Sequence, residues 1–476
     1  MAASDAQVEK RERTVAGASD VDGPLDMAKP GGLMILVWIL CGLVFFLDGY
    51  DLTVITFIAP ELVKEFGFDK SALGPVFVSS LVGFALAGPL LGLVGDRYGR
   101  KLTIVGSCLA FGLGTLAMLW ATTISQMILC RFVIGVGLGG AMPTAAAMVA
   151  EFAPKKSRNR ILALAASCVP LGAMAPGVMT AVLVPTYGWH ILAIIGGVGP
   201  IILAAVLLLT MPESVKYLAN NPKKHGELKS LLKRLDASPD WVPRLENQLT
   251  EKSDGRSVGR LFDGGKGPMT LMLWLAFFST GMALFLIISW LPLVLQSLNY
   301  SIQEAGKFSA IFAGAGILGG IVIALLVSRV GVLLLPILFV IAIPFLLAFS
   351  WYDLPQAGIV LCVLIPGMSV GALQVGCSTI AGLFYPTRVR AAGIGWGLGA
   401  GRLGSIVGPM IGSAILTLEL PAKDMIAFAA IPMAIGTIGS IFLVVLCKQR
   451  FGSLHVNESS DPQATIVPTA ELTAVK

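Results

Sequence analysis

Residues 33–60 read LMILVWILCGLVFFLDGYDLTVITFIAP. Outside the tetrad Asp48-Gly49-Tyr50-Asp51 the run is almost wholly apolar. At 1.5 Å per residue, a helix of this length crosses roughly 30 Å of hydrocarbon. A carboxylate at the centre of such a helix costs about 2.5–3.5 kcal/mol on insertion scales, so two together need a reason. The spacing i, i+3 places both on one helix face. Intramembrane acids face a bundle interior, mark proton or substrate sites, and have cationic partners elsewhere in the membrane.

Working outward, the composition agrees. The chain has 476 residues, 55% hydrophobic and 13% charged, with mean hydropathy +0.83. That excludes an ordinary soluble globule and indicates a polytopic, all-α membrane protein. Twelve spans are predicted, at about 33–60, 72–95, 102–122, 125–150, 160–184, 189–211, 269–296, 304–328, 331–350, 356–383, 391–417 and 425–447. They divide as two pseudo-symmetric six-helix bundles, 30–211 and 269–447, around a cytoplasmic central loop at 212–268. Residues 1–29 are expected to form a disordered cytoplasmic tail, and 448–476 a second cytoplasmic tail. No short apolar region with a small-residue cleavage site precedes the first span, so no signal peptide is expected. With both termini inside, 28 of the 34 Lys and Arg face the cytoplasm. Outside stand Lys64, Lys70, Lys307 and Lys423, while Arg131 and Arg402 lie within spans. This bias sets the orientation and makes the chain a multi-pass inner-membrane protein. The net charge of +6 follows that topology and does not point to nucleic acid. The seven cysteines all fall in apolar stretches without metal-ligand spacing and read as small buried hydrophobes.

The loop after the second span reads Gly92-Leu93-Val94-Gly95-Asp96-Arg97-Tyr98-Gly99-Arg100-Lys101. It reads as a cytoplasmic latch in which Gly92, Asp96, Arg97, Gly99, Arg100 and Lys101 form a gating motif. Asp96 is expected to favour the positive N-terminus of a neighbouring helix, with the basic residues anchoring the loop on the inner face. The equivalent loop of the second half keeps only Ser328-Arg329-Val330-Gly331. The halves also echo each other at Pro154, Arg158 and Arg160 against Pro386, Arg388 and Arg390, and paired halves about a midplane site define a transporter architecture.

Among 28 acidic residues, only Asp48 and Asp51 lie well inside a span. The three histidines, His190, His225 and His455, sit at a span end, in the central loop and in the tail, which leaves Asp48 and Asp51 as the proton-coupling candidates. Asp48 and Asp51 lie about 18 and 14 Å below the outer end of span one, and Arg131 about 10 Å down span four. Arg402 lies about 16 Å up from the inner end of span eleven. An Arg is a natural bidentate clamp for a carboxylate. Arg402 reads first as a substrate contact, because no acid in its own half is deep enough to neutralise it. Arg131 leaves two readings open, substrate contact or an ion pair locking two helices. Gln374, Trp290 and Trp396 complete the candidate substrate-binding set. The glycines of spans four and eleven, Gly135 to Gly140 and Gly393 to Gly404, suit close helix packing rather than a nucleotide loop. No nucleophile constellation or metal spacing appears, so no enzyme, metal or cofactor is expected.

The latch, the paired halves and the long central loop resemble the major facilitator superfamily. Leu47-Asp48-Gly49-Tyr50-Asp51 with Phe57-Ile58-Ala59-Pro60 resembles its aromatic acid:proton symporter branch, as does Tyr385 to Gly393 continuing through Gly401-Arg402-Leu403-Gly404. The resemblance implies a proton-gradient-driven symporter importing a small aromatic carboxylate of hydroxybenzoate or protocatechuate type, acting as a monomer in the bilayer. It also implies transport roles for Asp48, Asp51, Arg131 and Arg402. Met211-Pro212-Glu213-Ser214 resembles a run of the sugar porters, and Gly404 to Gly412 resembles an antiporter motif displaced from span five. An efflux antiporter of the same superfamily is therefore the alternative.

Overall fold

The computed structural model describes residues 30–235, 259–262, 265–385 and 389–451. The expected tail at 1–29, residues 236–258 and 263–264 of the central loop, the stretch 386–388 and nearly all of the tail at 448–476 lie outside the described residues. Helix is the regular structure throughout the described residues. The long helices are α1 (Gly32–Phe66), α2 (Leu73–Tyr98), α3 (Arg100–Ala117), α4 (Ile124–Phe152), α5 in two pieces (Arg158–Ala166 and Cys168–Val182) and α6 (His190–Thr210). After the central loop come α7 (Gly267–Ser297), α8 (Ile302–Val330), α9 (Leu334–Trp351), α10 (Gln356–Phe384), α11 (Arg390–Thr417) and α12 (Ala430–Phe451).

Among the described residues, ten segments are long and apolar enough to cross a membrane. One of them, Ile302–Trp351, contains both α8 and α9, joined by a 3₁₀ turn at Gly331–Leu333. α11 lies outside those ten; its 28 residues are rich in glycine and carry Arg390 and Arg402. Local chemistry sets several ends. Thr123 with Gln126 opens α4, and Ser301 with Glu304 opens α8, each as a reciprocal capping box. Gly67 closes α1 in the left-handed region at φ 66°. The fifth span is present as the single apolar stretch Arg158–Val182, with its helix interrupted at Ser167. Pro170 has no N–H to offer the Ala166 carbonyl, which interrupts the ladder there.

α1 to α6 pack chiefly on one another, and so do α7 to α12. The two sets meet where α5 packs on α8, α2 on α11 and α1 on α7. Apolar burial does not drive helices together in lipid, so close approach through small residues must. A Cβ on Gly49 would overlap the Val169 carbonyl of α5, and one on Gly172 would overlap the Phe46 carbonyl of α1. Gly83 and Gly135 do the same for α2 and α4, and Gly281 and Gly404 for α7 and α11. Across the seam, Gly177 of α5 and Gly306 of α8 bring backbones together, and the Ser413 hydroxyl donates to the Ser71 carbonyl. Phe77 meets the edge of Trp290 at 5.3 Å. These cross-seam approaches lie toward the end of the molecule opposite the Asp96–Arg100 loop.

Candidate functional site

Consecutive helical residues point about 100° apart, so the tetrad addresses four directions. Gly49 faces α5 and sets the helix spacing. The Tyr50 hydroxyl donates to the Leu192 carbonyl of α6 at 2.9 Å. Asp51 pairs with Arg131 of α4 at 2.9 Å, and the Thr115 hydroxyl of α3 donates to its other oxygen at 3.3 Å. The second terminal nitrogen of Arg131 donates to the Ser80 hydroxyl of α2 at 2.8 Å. Asp51 is 2% exposed and Arg131 1%. Four helices thus meet on one enclosed ion pair. Removing one partner from such a pair leaves a bare buried charge and costs about 3–5 kcal/mol.

Asp48 is as buried as its neighbour, at 1% exposure, yet neither carboxylate oxygen has a hydrogen-bond partner. The charge acting on it most strongly is Arg402 of α11, in the other half of the molecule, followed by Asp51. Arg402 has no acid within ion-pair distance among the described residues. Its guanidinium carbon instead lies 4.0 Å from the ring centroid of Phe84, on α2. A buried acid and a half-buried arginine therefore face each other across the seam without closing into a pair.

The remaining sequence candidates stand apart. Trp290 is fully buried, donating its indole N–H to the Pro409 carbonyl at 3.1 Å, and ties α7 to α11. Trp396 is half exposed and stacks on Trp274 at 5.8 Å. Gln374 is exposed on α10. No hydrogen bond or ring contact joins these three to the acids among the described residues.

The loop at Gly92–Lys101 is built differently from its sequence expectation. Asp96 is largely exposed and bonds Arg100 at 3.1 Å rather than serving a helix N-terminus. That post belongs to Glu213, whose carboxylate accepts the Lys101 backbone N–H at 3.1 Å and the Ser214 N–H at 2.9 Å. Gly99, at φ 110°, is where the chain turns into α3, and a side chain there would strike Glu213. Arg100 also pairs with Glu151 at the end of α4, and Glu151 accepts from the Ser214 hydroxyl at 2.6 Å. So Arg100 is drawn into an acidic cluster instead of lying on the surface. Glu151, Glu213 and Ser214 are functional candidates that sequence reasoning missed; the Pro212-Glu213-Ser214 run was their one signal. Ser80, Thr115 and Phe84 carried none.

A paired-half bundle with opposed intramembrane charges is the arrangement of a secondary transporter. The Major Facilitator Superfamily model matches residues 41–409, and the chain belongs to that superfamily. It is a transporter, not an enzyme, and a multi-pass protein of the bacterial inner membrane. Within the superfamily it is similar to the 4-hydroxybenzoate transporter PcaK of Pseudomonas aeruginosa, at 32% identity over 84% of this chain and 90% of that one. PcaK of Pseudomonas putida is 33% identical over 85% and 91%, and the benzoate transport protein of Acinetobacter baylyi 30% over 86% and 89%. The fold is shared with the inward-open xylose transporter XylE of E. coli, with TM-score 0.68 at 17% identity over 86% of this chain and 95% of that one. It is shared too with a bacterial homolog of the lysosomal transporter Spinster, TM-score 0.67 at 18% identity, over 88% and 96%.

Proposed function

We propose that this protein is a proton-coupled symporter that imports an aromatic carboxylate by alternating access. The observation carrying the reading is Asp48, buried without a partner and opposed by Arg402. In this reading the chain crosses the bilayer twelve times with both termini cytoplasmic, as the Lys and Arg asymmetry favours. The Gly92–Lys101 end is then cytoplasmic, and the closed seam at the other end makes this an inward-facing state. The names of the relatives supply the substrate class, an aromatic carboxylate such as 4-hydroxybenzoate or benzoate.

The charges supply the coupling. Asp51 is committed to Arg131, Thr115 and, through Arg131, Ser80. That leaves Asp48 as the proton carrier and Arg402 as the carboxylate clamp, with Arg131 given to the lock. From the outside, Asp48 takes a proton and no longer balances the charge of Arg402. The substrate carboxylate then pairs with the guanidinium edge through two N–H donors. Protonated Asp48, Arg402 and the substrate anion sum to zero charge, as do ionised Asp48 and Arg402 in the empty site. Both forms can therefore pass through the occluded state without moving net charge through low dielectric. On the cytoplasmic side the substrate leaves and Asp48 releases its proton. Arg100, Glu151 and Glu213 latch or release the inner ends of α2, α3 and α4. No cofactor enters this cycle, and one chain suffices.

The test is uptake into proteoliposomes under an imposed pH gradient, acid outside, across 4-hydroxybenzoate, benzoate, protocatechuate and gallate. Accumulation that collapses with a protonophore is expected for at least one of them. Uptake indifferent to the gradient removes the proton coupling, and acid-outside expulsion of preloaded substrate makes the protein an efflux antiporter.

A further inference from the structure

Phe84 stands on α2 in the first half, and Arg402 on α11 in the second. Their 4.0 Å separation places the cation against the ring face. The other cation–ring contacts given for the described residues join groups no more than seven residues apart at 5.0 Å or more, so this contact is the closest of them and the one that crosses the seam. Both backbones are held. Gly83 and Gly139 seat α2 against α4 on either side of the Phe84 position, and Gly281 abuts the Gly401 carbonyl next to Arg402. A guanidinium presents two flat faces and a rim of N–H donors. A ring on one face fixes the plane and leaves the rim open. Carboxylates are bound at that rim, two donors to two oxygens.

We propose that Phe84 is a substrate-positioning residue: it holds the Arg402 guanidinium by its face, clear of Asp48, with its donor edge presented to the incoming carboxylate. The inference rests on the reading of Arg402 as the carboxylate clamp. It adds that affinity for the anion depends on a residue that donates no hydrogen bond and carries no charge. It also makes the cross-seam contact part of the binding site, since the clamp comes from one half and its support from the other. An aliphatic side chain at this position would fill space without holding the guanidinium plane.

The experiment measures KM and Vmax for 4-hydroxybenzoate and benzoate uptake in proteoliposomes for Phe84→Leu, Phe84→Met, Phe84→Tyr and Arg402→Gln. Loss of a cation–ring contact of this kind weakens binding by about 3–30-fold. Phe84→Leu is expected to raise KM by that factor with Vmax within about twofold. Phe84→Met, unbranched and adaptable, carries the same test if the Leu variant does not assemble. Phe84→Tyr keeps the ring face and should restore KM to within about twofold of the parent. A parental KM in the Leu and Met variants, or a fall in Vmax alone with lowered melting temperature, overturns the positioning role. If Arg402→Gln itself keeps the parental KM, the clamp reading fails and this inference with it. If Arg402→Gln loses uptake while Phe84→Leu does not change KM, the inference about Phe84 alone fails.

Discussion

Asp48 and Asp51 stand one turn apart on the same helix and are equally buried. Asp51 is held by Arg131 and Thr115, whereas Asp48 has no hydrogen-bond partner at either oxygen. The difference comes from what each faces. Asp51 faces helices of its own half, which move with it and can keep a permanent pair. Asp48 faces α11 of the other half, whose position relative to α1 must change if the halves rock. An acid that has to gain and lose a proton each cycle is suited to the second position, and one that has to hold four helices together to the first.

Four single substitutions and one double change sharpen or break this contrast, from the largest expected effect down. Asp48→Asn should abolish gradient-driven accumulation while leaving the purified protein folded; full accumulation by this variant in proteoliposomes would falsify the coupling role of Asp48. Arg131→Ala strands the Asp51 charge and should destabilise the first half by about 3–5 kcal/mol, read as lost monodisperse protein in detergent. The double change Arg131→Met with Asp51→Leu should recover most of that stability, because both charges leave together. If the single and double variants melt alike, the pair is not the lock described. Gly49→Ala drives a methyl into the Val169 carbonyl. It should cost about 1–3 kcal/mol by overpacking, visible as a lower melting temperature. Thr115→Val keeps volume and removes one hydrogen bond to Asp51. A loss of about 0.5–1.5 kcal/mol is expected, with accumulation preserved. Loss of coupling in Thr115→Val would instead give Asp51 a share in proton transfer.

Much of the fold was legible because the constraint is one-dimensional. A helix must span a set thickness, so apolar length and flanking charge mark each span. The fifth span was legible, but not the helical interruption at Ser167 inside it, though Pro170 was its visible cause. Within the site, the acids and both arginines were legible because a charge in a membrane span is conspicuous. Which acid Arg131 holds was not, since depth alone set it near both, and nothing in the sequence turned Asp48 toward Arg402. That Trp290 buries its ring at the seam and donates to a backbone carbonyl was not legible from its place in span seven. Glu151 lies 51 residues beyond Arg100, and Glu213 lies 112 beyond Lys101; only folding brings them together.

By itself, the sequence determined that the chain is a membrane bundle of two similar halves and that Asp48, Asp51, Arg131 and Arg402 are its deep charges. Composition and spacing suffice for this, because hydrocarbon penalises every charge it encloses. The tertiary structure decided which acid is locked and which is left open, and it put Phe84 against Arg402. Those outcomes depend on which helices meet and at what rotation. Glycine contacts distributed over α1, α2, α4, α5, α7 and α11 set that geometry together, and no single stretch of the chain contains it.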